Sequence, residues 1–208
     1  MPPTPASDEW WTCDGRPAGP RRPHPARAPR RRRPAAGPRR YRRAGGAGKS
    51  TFARAVAGEL GHAVVVEGDD FYRDLPDDER AALDPAAGVE QYFDWQRLRR
   101  EVLEPVRRGD AVLRYQRYDW DRATMGDWVE QPMPDVVVVE GVYMLRPQLL
   151  DLIDVAVWVE TSEETRLRRQ VERGENDDVW IRRWVAAEDH YVATHDPRSA
   201  AALHVEGT

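Results

Sequence analysis

The stretch that most restricts this chain is Gly45-Gly46-Ala47-Gly48-Lys49-Ser50-Thr51. Small residues ahead of a lysine let backbone N–H groups close around phosphates. The lysine then reaches the β and γ oxygens, and the hydroxyl after it can hold Mg²⁺. Gly45, Gly46, Ala47, Gly48, Lys49, Ser50 and Thr51 are therefore candidate phosphate-binding residues, with Ser50 the candidate metal ligand. Lys49 is the only lysine in the sequence; every other one of the 32 basic residues is arginine. Arginine's planar fork is a poor substitute for a compact point charge inside a loop. A Gly/Ala-rich turn that merely precedes a helix is the plainer reading. The Gly-Lys-Ser-Thr run and the acidic groups at later strand ends count against it.

A loop of this kind opens a helix, and the downstream pattern agrees. Residues 49–60 place Phe52, Val56 and Leu60 on one helical face, with Gly61 as a stop. Apolar runs at 63–66, 135–141, 154–159 and 203–205 read as strands, the valines 136–139 being the clearest buried one. Residues 95–108 carry Leu98, Val102 and Val106 at helical spacing, with Pro105 expected to kink or end that helix. Residues 163–173 predict a very basic helix, and 177–192 a helix bearing Trp180, Trp184 and Tyr191. Residues 73–88 read as a polar stretch, and 111–120 alternate loosely, as an excursion beside the sheet. Strands alternating with helices predict an α/β fold with a doubly wound parallel sheet, its ligand at the strands' C-terminal ends.

The beginning of the chain reads differently. Residues 1–43 hold 12 arginines against three acids, whereas residues 44–208 hold 20 basic against 33 acidic residues. Between Gly15 and Arg43 only His24 and Tyr41 are not Gly, Ala, Arg or Pro. Such a segment has little apolar surface to bury, so residues 1–43 are expected to be a disordered head and 44–208 the folded domain. A basic arm for nucleic acid or an anionic membrane is the functional alternative, but interleaved aromatics and helical periodicity are missing. A phosphate loop normally leaves a buried strand. Residues 37–43 (Gly-Pro-Arg-Arg-Tyr-Arg-Arg) cannot form a central one. The first strand therefore reads as missing or corrupted, and the head as a frameshift or wrong-start product. The acidic body argues against a nucleic-acid partner. The single Cys13, the lack of a secretory h-region and the lack of a long apolar run predict a cytoplasmic protein without a membrane span.

Acidic groups are expected at the same sheet edge as the loop, which suits phosphoryl transfer. Glu140 ends the valine strand where a metal-binding carboxylate belongs. Asp69 and Asp70 end the second strand, where one carboxylate can take the proton of an attacking hydroxyl and the other can serve substrate; an N-cap with first-turn charge is the alternative. Arg166, Arg169 and Arg173 are spaced i, i+3, i+7 and can close over a triphosphate, or form a solvated face paired with Glu163, Glu164 and Glu172. Tyr92 to Trp95 and Tyr115 to Arg122 set aromatics beside charges, suiting either a pocket for a planar group and a sugar or ordinary core.

In order, Gly45 to Thr51, Asp69-Asp70-Phe71-Tyr72, Tyr118-Asp119-Trp120, Glu140-Gly141-Val142 and the 160–173 run with its Thr-Arg-Leu-Arg-Arg resemble the uridine kinase family and its bacterial relatives. The resemblance implies a P-loop NTPase fold with a basic lid helix, Asp69 as general base and Ser50 with Glu140 on Mg²⁺. It also implies Arg169 and Arg173 as lid charges on the phosphates, and Tyr118 with Trp120 lining a nucleoside pocket. Departures are visible as well. Arg43 stands at the loop's first glycine, Phe93-Asp94-Trp95 is a reduced form of a longer family segment, Gln170 replaces a lid arginine, and Arg122 lies near an unmatched histidine position.

The expected activity is that of an ATP- and Mg²⁺-dependent kinase acting on a hydroxyl of a small metabolite, most simply a nucleoside. Lys49, Asp69, Arg169 and Arg173 are the catalytic candidates, and Arg166 joins the loop on the nucleotide. Asp70, Tyr72, Asp94, Tyr118, Trp120 and Arg122 are assigned to the acceptor. Another acceptor, such as pantothenate or a sugar acid, and a nucleotide-binding protein without turnover are the competing readings.

Overall fold

Glycine at position 48 sets the start of the first helix. Its φ of 81° lies in the left-handed region that side chains resist, and it caps the first helix, α1 (Lys49–Leu60). The computed structural model describes residues 47–162, 164, 165, 168 and 178–207. The head 1–43, Gly45, Gly46, Arg166, Arg169, Arg173 and most of the expected lid helix lie outside the described residues, as does the segment read as the damaged first strand.

Helix α1 has the bounds that its apolar spacing predicts, but its face is centred one position along. Ala53 is buried, Phe52 and Val56 are half-buried, and Leu60 at the last turn is 53% exposed. The chain then enters strand β1 (Ala63–Glu67), which pairs in parallel with β4 (Val136–Glu140), register Ala63 to Val136 through Glu67 to Glu140. Strands β5 (Val157–Glu160) and β6 (Leu203–Glu206) form a second parallel pair. The valine run 136–139, expected to be the clearest buried strand, is only half-buried, with Val136 38% exposed, whereas Val66 of β1 is fully buried.

Three features differ from the sequence reading. Residues 111–120 are half of an antiparallel hairpin, β2 (Val112–Asp119) with β3 (Thr124–Pro132). A register shift between Gln116 and Tyr118 breaks its alternation. The polar stretch 73–88 contains two short helices, α2 (Asp77–Ala82) and α3 (Pro85–Gln91). Asp84 caps α3, accepting from Ala87 N at 2.8 Å, with Pro85 at the first helical position. Pro105 does not end its helix, which continues to Arg108. A π-turn, Arg99–Leu103, connects α4 (Trp95–Leu98) to α5 (Glu104–Arg108), with Glu104 N bonded to Arg99 O. The wider turn accommodates a ring that would clash with the carbonyl four residues back, and a missing N–H.

Two cores result. One lies under β1 and β4 and includes Val66, Phe71, Leu98, Val102, Leu113, Tyr115 and Leu149. The other is aromatic, joining Tyr72, Tyr92, Phe93, Tyr118 and Tyr143 to Trp180, Trp184, Ala187 and Tyr191. The last four lie on one face of α6 (Asp178–His195), which runs three residues beyond its expected end. Arg146 locks the cores together from the segment after β4. It is fully buried, bonds Glu90 of α3 at 2.5 Å, and lies 4.7 Å above the Trp95 ring.

Candidate active site

The phosphate loop enters α1 between the ends of two strands. Ser50, in the first turn of α1, donates its hydroxyl to Glu140 Oε1 at 2.7 Å, tying the loop to the tip of β4. On the other side, Thr161, just past β5, donates to the Ala47 carbonyl at 3.0 Å. Gly48 turns the chain so that Lys49 begins the helix, where free N–H groups and the helix dipole favour an anion. Lys49 is half-buried and Thr51 is exposed.

Strand β1 ends in a 3₁₀ turn, Gly68–Phe71, which carries Asp69. The turn fits against β4 because both chains lack side chains at the crossing. A Cβ on Gly68 would lie 3.1 Å from the Glu140 carbonyl, and one on Gly141 would lie 3.1 Å from Gly68 Cα. The paired register of Glu67 and Glu140 then sets Asp69 two residues beyond the tip that Ser50 touches.

Asp70 is turned inward. It is 3% exposed and accepts from Arg117 Nε at 3.1 Å, so it anchors the turn to β2 and is not presented to a substrate as its sequence assignment had it. The charge of Asp70 is also the main reason the Arg117 guanidinium holds its proton more firmly than usual. Arg97 completes the brace, donating to the Asp70 carbonyl at 2.8 Å and to the Gln116 carbonyl, with its guanidinium 4.5 Å above the Phe71 ring. Burial pushes the Arg97 pKa down, and Glu101, Asp94 and Asp70 oppose that shift.

The remaining acceptor candidates are spread unevenly. Tyr72 and Tyr118 are buried in the aromatic core, and Trp120 packs on Tyr72 with ring centroids 4.5 Å apart. Asp94 caps α4, accepting from Arg97 N at 2.9 Å, with Arg73 Nη2 at 3.9 Å. Arg122 is not brought to the site. Its side chain is 76% exposed, 3.6 Å from Asp119 on the hairpin turn. Sequence reasoning missed Arg97 and Arg117. Arg97 and Arg117 were hidden among many arginines, and only the hairpin's return reveals what they hold.

These features define a class: an α/β phosphate-loop fold with a hydroxyl–carboxylate pair at the loop and a second acidic turn packed against the strand that carries the carboxylate. Residues 43–202 match the Phosphoribulokinase / Uridine kinase family, and the chain belongs to it. It is 33% identical over 137 residues to a uridine kinase of Halobacterium salinarum, covering 62% of this chain and 58% of that one. It is 30% identical over 156 residues to a uridine kinase of Limosilactobacillus reuteri, covering 68% of each. The chain thus spans less than two thirds of the Halobacterium protein. A solved structure described as a possible uridine kinase from Bacillus stearothermophilus has the same fold, with a TM-score of 0.59 at 18% identity over 76% of this chain and 82% of that one.

Proposed function

We propose that the protein is an ATP-dependent kinase that phosphorylates a hydroxyl of a nucleoside. The observation that carries this reading is the 2.7 Å bond between Ser50 and Glu140, with the Asp69 turn locked beside it by the Gly68–Gly141 crossing. Family membership supports it. Lys49 and the loop amides hold the β and γ phosphates. Asp69 accepts the proton of the acceptor hydroxyl as its oxygen attacks the γ-phosphorus and the bond to the β-phosphate oxygen breaks, leaving ADP. Arg166, Arg169 and Arg173 are assigned the charge on the transferring group.

The donor set suits Mg²⁺. Ser50 and Glu140 offer oxygen only, and no cluster of three His, Cys, Asp or Glu able to hold a metal occurs among the described residues. Magnesium takes few protein ligands and keeps water and phosphate oxygens as the rest. When bound it neutralises charge on the β and γ phosphates. Among the described residues no helix is long and apolar enough to cross a membrane.

The test is a coupled ADP-release assay against uridine, cytidine, other nucleosides, pantothenate and sugar acids. Turnover with a nucleoside, abolished by Lys49→Ala, supports the reading. Turnover with pantothenate or a sugar acid alone, or ATP binding without acceptor-dependent release, overturns it.

A further inference from the structure

The aromatic core contains polar atoms that the protein leaves unsatisfied. The hydroxyls of Tyr72 and Tyr143 and the indole N–H of Trp120 are sealed from solvent, with no hydrogen-bond partner among the described residues. Tyr72 is 1% exposed and Tyr143 2%. A phenylalanine would fill either ring position without stranding a hydroxyl, so the oxygen is a net cost to the free protein. Tyr143 bears a second cost, a φ of 61° that non-glycine residues seldom adopt.

The placement of the two phenols follows that of the acidic strand ends. Tyr72 comes three residues after Asp69, and Tyr143 three residues after Glu140. Both rings meet Phe93 edge-on, with centroids at 5.5 and 5.9 Å. Burial is the main reason both phenols hold their protons well above the usual tyrosine range, so each stays a neutral hydroxyl able to donate. Groups that stay unpaired in the free protein, beside the turn that carries the proton acceptor, are suited to a partner that arrives with the substrate.

We propose that Tyr143 is an acceptor-binding residue whose hydroxyl, with that of Tyr72, hydrogen-bonds the hydroxyl groups of a polyhydroxylated acceptor such as a ribose. This rests on the kinase reading above and adds the recognition of the acceptor's sugar. The ring of Tyr143 is held by Phe93, Trp184 and Tyr191, so an acceptor reaches the sealed oxygen only by parting this packing.

Tyr143→Phe removes one oxygen and keeps the ring. The free variant melts about 2–4 °C higher than the parent, because the unsatisfied hydroxyl is gone. Its kcat/KM for the acceptor falls about tenfold, the effect of one lost hydrogen bond to substrate, while KM for ATP is unchanged. A hydroxyl with a merely structural role cannot give both results, since its loss would lower stability. A lower melting point, or an unchanged kcat/KM for the acceptor, overturns the proposal. If the parent turns over no acceptor, the kinase reading fails. The proposal is then decided by the melting shift that uridine, cytidine or ribose induces at millimolar concentration. A shift in the parent that Tyr143→Phe loses supports it, and equal shifts or none overturn it.

Discussion

Replacing Arg97 with methionine tests how the turn carrying Asp69 is held. The guanidinium is 8% exposed and lies 3.7 Å from Glu101 Oε2. It donates to the Asp70 carbonyl at 2.8 Å and to the Gln116 carbonyl, which belong to two different elements. Methionine preserves much of the stem packing against Phe71 but strands both carbonyls and leaves the Glu101 carboxylate without this guanidinium. Removing one partner of a buried charged network costs about 3–5 kcal/mol, of which each charged hydrogen bond accounts for roughly 1.5–3. That is a large part of the ~5–15 kcal/mol that holds a domain together. At ~2–4 °C per kcal/mol for a domain of this size, the melting midpoint drops by about 10 °C. Urea unfolding followed by tryptophan fluorescence gives the free energy, and the ADP assay gives kcat below the midpoint. Arg97→Lys keeps the charge but cannot bond both carbonyls, so it falls between parent and Arg97→Met. A loss below about 1 kcal/mol for Arg97→Met would refute the claim that this guanidinium braces the turn.

Two further outcomes follow from the same geometry. Burial raises the pKa of six tyrosines, Tyr72, Tyr92, Tyr115, Tyr118, Tyr143 and Tyr191, with Tyr115 pushed up to about 12. A group whose folded pKa is raised contributes stability that is complete below its unfolded pKa and is lost as pH rises towards the folded one. Stability therefore falls above about pH 10, and ultraviolet titration shows these tyrosines ionising together with unfolding; six independent titrations near pH 10 would contradict this. Ser50→Ala removes the 2.7 Å bond to Glu140 while leaving the exposed Thr51 in place. It raises the Mg²⁺ concentration needed for half-maximal activity about tenfold or more, with little change in melting point, as a Mg²⁺ titration of the ADP assay would show.

Much of the architecture was legible because the signals were local. Helix α1 has its predicted bounds, and the valine runs form the paired strands β1 and β4, although of their valines only Val66 is buried and Val136 is exposed. The 3₁₀ turn after β1, and with it the place of Asp69, follows from where that strand stops. Strand β3 was not legible, because Gly126 and Asp127 interrupt its alternation and its partner carries a register shift. Helices α2 and α3 were masked by polar composition, although Asp84-Pro85 is a helix-start signature that could have revealed the second. Asp70 shows the limit more sharply. Adjacent aspartates look equivalent in sequence, and only Arg117, 47 residues away, makes one of them an anchor. Arg122 failed for the converse reason: proximity in sequence to Trp120 did not bring it into contact with the cluster.

The measurement that bears most directly on the account is single-turnover phosphoryl transfer from ATP to uridine by the parent and by Asp69→Asn. Asparagine keeps the size of the side chain but cannot take a proton at neutral pH. The account predicts a rate roughly 10²–10⁴-fold lower, with ATP affinity unchanged because Lys49 and the Ser50–Glu140 pair are untouched. A variant that transfers phosphate at the parental rate would contradict the assignment of Asp69.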